Sequence, residues 1–142
     1  MKRTLLLIIF ILILVLSAGC GSRSLTVKEA WARPGNAGGT GAVYFIIDNP
    51  SDQDDLLLSA DSDAAEHVEL HHSKMSDDGT MSMQQQESVP VPGRSALEFN
   101  PGGLHVMLIN LEKDLYPGDT LTLSLKFQNA GEFELETTVR EP

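Results

Sequence analysis

Cysteine is almost absent from this chain. Cys20 is the only one, so no intramolecular disulfide can form. The residues after it therefore offer neither a thiolate metal ligand nor a thiol nucleophile. Basic residues are also scarce. Ten Lys and Arg stand against twenty Asp and Glu, for a net charge of −10. No basic patch is available to neutralise phosphates, which excludes nucleic acid as a partner. The chain has no His-Glu-x-x-His, no Gly-x-Ser-x-Gly and no phosphate-cradling glycine loop, the patterns that would announce a zinc hydrolase, a serine hydrolase or a nucleotide enzyme. Nothing points to an enzyme. Internal repeats and sustained helical periodicity are missing too, and after residue 20 no apolar run is long enough to span a bilayer.

Much of the apolar content sits at the start. Lys2 and Arg3 precede an apolar run from Thr4 to Ser17, and Ser17-Ala18-Gly19 supplies small residues just before Cys20. Charge, apolar core and small-residue site in that order describe a secretory signal. Ala18-Gly19-Cys20 resembles a bacterial lipoprotein processing site, with residues 1–19 removed and Cys20 acylated as the new N-terminus. Leu16 lies one place earlier than that pattern places its leucine. The alternative is an uncleaved N-terminal anchor. Both readings put the domain outside the cytoplasm, in the periplasm or on the outer face of the cell membrane, and held there. Residues 20–24 then form a linker and 25–142 one domain, a size suited to a single core.

From Leu25 onward, short strand-like segments alternate with turn residues. The segments are Leu25 to Arg33, with Trp31 as a buried candidate, then Thr40 to Asn49, Asp55 to Ser59 and His67 to His72. Thr80 to Gln86, Ala96 to Phe99, Leu104 to Leu111, Thr120 to Phe127 and Glu132 to Val139 follow. Ala60 to Ala65 reads as a polar stretch and Val89 to Gly93 as a proline-rich bend. Asp77-Asp78-Gly79 is a hairpin turn. Leu121, Leu123, Leu125 and Phe127 fall on one face by strict alternation. Strands at roughly ten-residue spacing with Gly/Pro turns predict an all-β fold, an antiparallel β-sandwich or barrel.

Soft ligands are concentrated in one region. Apart from Met1, the methionines are Met75, Met81, Met83 and Met107, and the histidines are His67, His71, His72 and His105. His105 and Met107 are two apart on a strand and share a face, as do Met81 and Met83. The hairpin at Asp77-Asp78-Gly79 brings His71 or His72 beside Met81 or Met83. Thioether sulfur is soft and uncharged and favours Cu(I) over Zn, Mg or Ca, while imidazole adds a borderline nitrogen donor. Without a cysteine thiolate the site is not of the blue-copper electron-transfer kind. A single Met on a strand is more often core filling, and His67 reads as a surface residue. Asp52, Asp54, Asp55, Asp61 and Asp63 form an acidic cluster without calcium-loop spacing, and read as a solvated loop.

These residues resemble the PCu(A)C family of periplasmic copper chaperones. The family pattern is His, ten residues, Met, twenty-one residues, then His-x-Met, and His72, Met83, His105 and Met107 fit that count. Further matches are Ala30-Trp31-Ala32-Arg33-Pro34, Gly41-Ala42-Val43-Tyr44, Val68-Glu69-Leu70-His71, Phe127 with Ala130-Gly131, and the most specific, Pro101-Gly102-Gly103-Leu104-His105-Val106-Met107-Leu108. In the family the first His directly follows the Glu-Leu pair, which selects His71. The count to Met83 selects His72. Neighbours on a strand face opposite ways, so one of the two is the ligand. The resemblance implies a cupredoxin-like antiparallel β-sandwich that binds Cu(I) at an exposed site. It implies delivery to a copper acceptor protein, the dinuclear copper subunit of cytochrome c oxidase, sometimes with a thioredoxin-like copper chaperone as partner. Copper storage or resistance is the alternative within the same chemistry, and an adhesion or assembly sandwich with incidental His and Met is the alternative outside it.

Overall fold

The computed structural model describes residues 24–142. The signal, its cleavage site, Cys20 and the first part of the linker lie outside the described residues. Within them there are ten strands and no helix. The strands are β1 (Thr26–Ala32), β2 (Thr40–Asn49), β3 (Asp55–Ser62), β4 (Ala65–Met75), β5 (Met81–Gln86), β6 (Val89–Val91), β7 (Ser95–Phe99), β8 (Leu104–Leu111), β9 (Thr120–Phe127) and β10 (Glu132–Val139). They join edge to edge in the order β5-β4-β8-β7-β2-β1-β10-β9-β3-β6, with β8 also pairing to β2. One core cluster holds Leu108 of β8, Leu57 of β3 and Val91 of β6 together. Strands so far apart in the order share a core because the sheet curls onto itself, which makes the two layers of the expected sandwich.

The alternation of β9 carries through. Leu121, Leu123, Leu125 and Phe127 are all buried. Strand β3 runs on to Ser62, into the stretch read as polar loop. The proline-rich bend is a correction: Val89–Val91 is a strand, with both valines buried and Pro90 exposed between them. It pairs only with β3 and closes one end of the sheet order, the edge position where a residue without an N–H is tolerated. The antiparallel expectation also fails at two seams, since β1 runs parallel to β10 and β7 parallel to β8. Strand β1 lies between β2 and the C-terminal strand, and no hairpin connects it to β10.

Trp31 is half-buried rather than buried. Strand β1 carries a bulge between Lys28 and Trp31, with Glu29 at φ 57°. One extra residue reverses which side chains face inward. Val27 pairs with the buried Ile47 before the bulge, and Ala32 with the buried Val43 after it. Trp31 is thereby moved to the outer face, against Tyr44 at 4.6 Å between ring centroids, with the Arg140 guanidinium 4.8 Å from its ring.

The acidic cluster is only partly solvated. Asp55 is 6% exposed. Its Oδ1 accepts from the N–H groups of Leu56 (2.8 Å) and Asn129 (2.9 Å), and its Oδ2 from Ala130 (2.8 Å). This carboxylate clamps the β9–β10 turn onto the start of β3. Gly131, at φ 88°, supplies the left-handed residue the turn needs. Asp55→Ala leaves three part-buried amides without their acceptor and is expected to lower the unfolding free energy by about 1–3 kcal/mol. Denaturant titration checks this, and a loss below about 1 kcal/mol would mean that water replaces the carboxylate there.

Candidate metal centre

Alternation along β8 sends Val106 and Leu108 into the core and turns His105 and Met107 to the outer face. Register then decides what meets them. Across β4, His105 lies opposite His71 and Met107 opposite Glu69. On the other side of β4, Met83 lies opposite Ser73 and Met81 opposite Met75. Ala42 of β2 pairs with Met107. Directly paired residues project to the same face, so His71, Met83, His105 and Met107 share one surface with Met81, Tyr44 and Glu69. His72 does not join them. It pairs with Leu104 and Gln84 and projects from the opposite face, while His67 is exposed.

Met81, Met83, His105 and Met107 line a groove of about 460 Å³, with Tyr44 and Ser73 among its other walls. His105 is part of the groove wall, and the His71 ring lies next to it, 5.8 Å away between centroids, without itself lining the groove. His105 is buried, beneath Tyr44 on one side (6.4 Å) and His71 on the other. Its Nδ1 is 3.1 Å from the Gly103 carbonyl. A carbonyl only accepts, so Nδ1 carries the proton and Nε2 keeps a free lone pair. His71 shows the complementary tautomer. Its Nε2 is 2.7 Å from Glu69 Oε2 and donates to that carboxylate, while its Nδ1 is buried without a partner. A buried nitrogen lone pair left unpaired is costly, and a metal ion bound between the two rings would relieve it. Each ring is thus oriented through one nitrogen and open at the other, the arrangement by which supporting groups fix metal-binding histidines.

The electrostatics favour neutral ligands. Burial pushes the His105 imidazole below its ordinary pKa. The Gly103 hydrogen bond opposes that shift, and the neighbouring His71 and His72 reinforce it. A depressed folded-state value means that the unfolded chain takes up the proton first. Stability from this group is full above 6.5 and is lost as pH falls through the folded value. Thermal midpoints of the metal-free protein are expected to fall on mild acidification, and less steeply in His105→Gln. Equal slopes would show that His105 titrates normally.

Among the described residues, no three His, Cys, Asp or Glu side chains gather to hold a metal ion. The donors the groove does offer include the thioethers of Met81, Met83 and Met107, which favour a soft metal. Two contributors escaped sequence reasoning. Glu69 was available as Glu-x-His on one strand face, a visible spacing. Tyr44 reaches His105 only through the β2–β8 pairing, which no local pattern displays.

Fold and groove together define a cupredoxin-like β-sandwich with a soft-ligand face, and solved domains of that kind match it. A copper-bound PCuAC domain from PmoF2 aligns with TM-score 0.70 at 23% identity, over 84% of this chain and 94% of that one. The solution structure of CuI-DR1885 from Deinococcus radiodurans aligns with TM-score 0.64 at 25% identity, over 88% and 85%. In sequence, the "Putative lipoprotein Lxx21020" of Leifsonia xyli subsp. xyli is 28% identical across 81% of this chain and 69% of its own length. The family model described as "Putative lipoprotein LpqE-like" matches residues 25–139. The chain belongs to this LpqE-like family, the family of PCuAC domains.

Proposed function

We propose that this protein is an extracytoplasmic Cu(I) metallochaperone, anchored through an acylated Cys20, which holds the ion on His71, Met83, His105 and Met107 and passes it to an acceptor. One observation carries the reading: His105, with a free ring nitrogen, lines one open groove with the thioethers of Met83 and Met107, and the His71 ring, its Nδ1 unpaired, lies against it on the same sheet face. The PmoF2 domain that shares the fold is copper-bound and DR1885 is described with CuI, which supports copper as the cargo. The lipoprotein designation of the family and of the Leifsonia relative supports the anchor.

Delivery follows from exposure. Met83 is 61% exposed, so an incoming ligand reaches the ion from the groove side. Neutral thioethers leave without taking up a proton, and imidazole competes only above its own pKa. The cycle is capture, docking and ligand exchange, with copper remaining Cu(I) and no bond of a substrate made or broken. The proposed acceptor is the dinuclear copper site of cytochrome c oxidase, which must bind Cu(I) more tightly than this groove does if the ion is to move.

The test mixes the Cu(I)-loaded protein with the metal-free copper subunit of the oxidase, anaerobically, and separates the two. Copper is expected with the oxidase subunit, transferred faster than from a small-molecule complex of equal affinity. Copper retained by the loaded protein would replace delivery with storage. A protein that takes up no Cu(I) would overturn the copper reading altogether.

A further inference from the structure

The thioethers do not stop at the groove. Among the described residues, three of the exposed large hydrophobic side chains are Met75 (69%), Met81 (52%) and Met83 (61%). All three sit on the β4–β5 hairpin. Met75 and Met81 are directly opposite across it, which sets their Cβ atoms about 5 Å apart. Met83 follows Met81 by two residues on the same face, about 7 Å along the strand. Unbranched side chains with three rotatable bonds reach across such gaps.

Nothing in the packing accounts for this cluster. None of the three belongs to the hydrophobic core or to the partly buried residues around it. Strand β5 lies at the edge of the sheet, where proteins usually place charged side chains to deter pairing with other chains. Here the neighbours in β5 are Ser82 and three glutamines. An exposed apolar group in such a place has a use. The hairpin tip adds Asp77 and Asp78, with the Asp78 carboxylate fixed by the Thr80 N–H at 2.9 Å. A pair of carboxylates beside uncharged soft donors draws a cation toward them, and the donors then select a soft one.

We infer that Met75, Met81 and Met83 form a second, outer Cu(I) site, and that Met83 is shared with the inner site of His71, His105 and Met107. An ion landing on the hairpin tip can then move inward by exchanging Met75 and Met81 for the imidazoles while Met83 stays bound. The ion changes neither charge nor oxidation state, and no proton is released, because both histidines already present a free nitrogen. The inference rests on the copper reading of the inner site for the identity of the metal, and on the hairpin register for the place.

The test uses the full chain in detergent, carrying Cys20→Ser so that no free thiol competes, titrated anaerobically against a chromophoric Cu(I) chelator. The parent is expected to take two ions per chain with separate affinities, the outer one held by Met75 and Met81 with the Met83 sulfur bridging it to the inner one. Met75→Leu/Met81→Leu, which keeps volume and apolarity at exposed positions, is expected to take one, with the tighter affinity changed by less than about 3-fold. His105→Ala is expected to keep the weaker ion, and X-ray absorption should then show only sulfur around it. A parent that binds one ion, or a leucine double variant that still binds two, would overturn the outer site. If His105→Ala and Met107→Ala lose nothing while the leucine variant loses an ion, the inner assignment fails and the outer one survives.

Discussion

His105→Ala is expected to weaken the tighter Cu(I) affinity by at least about 100-fold, the upper end of what losing a mere supporting partner costs a metal site. The imidazole sits at the base of the groove, its tautomer set by the Gly103 carbonyl, so no other side chain can take its place. Met107→Ala should fall short of that, because a weak soft donor is removed from a site that Met83 still serves. The double variant is the sharper measurement. Ligands of one ion act together, so the two losses should be strongly non-additive, whereas ligands of separate ions would add. His105→Asn guards against unfolding as an explanation, since its amide nitrogen stands where the imidazole Nδ1 does and can still donate to the Gly103 carbonyl. Affinities come from Cu(I) competition, and a matched thermal midpoint for His105→Asn licenses the comparison. Additive losses, or an affinity within about 3-fold of the parent in His105→Asn, would remove His105 and Met107 from a shared site.

The fold was legible where one face of a strand alone carries the information. In β9, buried residues alternate strictly with outward ones, and two-residue spacing translates directly into side-chain direction. It was illegible where the backbone departs from that period. The Glu29 bulge has no residue type that announces it, and it moved Trp31 from core to surface. Val89-Pro90-Val91 reads as a bend because proline cannot donate to a ladder, yet an edge strand has a side that needs no donor. Asp55 reads as one solvated acid among several because its three amide partners come from positions 56, 129 and 130. The site was split in the same way. His-x-Met and Met-x-Met are local patterns, visible as spacing. Which of two adjacent histidines joins them depends on how β4 pairs with β8, a contact between positions more than thirty residues apart.

That pairing yields the second large effect. His71→Ala is expected to weaken the tighter Cu(I) affinity by at least about 100-fold, and His72→Ala to leave it within about 3-fold of the parent. The sequence count to Met83 favours His72, but a count assumes that the hairpin adds no residue between the ligands. In the folded chain, β4 pairs Met75 with Met81 and closes through Ser76 to Thr80, with the Ser76 N–H bonded to the Thr80 carbonyl at 2.8 Å. That five-residue loop holds the register in which Ser73, not His72, lies across from Met83. Ser73 and His71 then share a face, and the strand period sends His72 to the other. Glu69 supplies an independent check on the same assignment. It touches His71 and not His72, so Glu69→Gln should weaken Cu(I) by about 10–100-fold through His71 alone. In a His71→Ala background the same substitution should have almost no further effect, because the carboxylate acts only through that ring. If Glu69→Gln were equally costly with His71 removed, the carboxylate would act on the ion or on the fold directly. If His72→Ala were the damaging variant, the β4–β8 register would differ in the copper-loaded protein, and the hairpin would shift by one residue against β8 on binding.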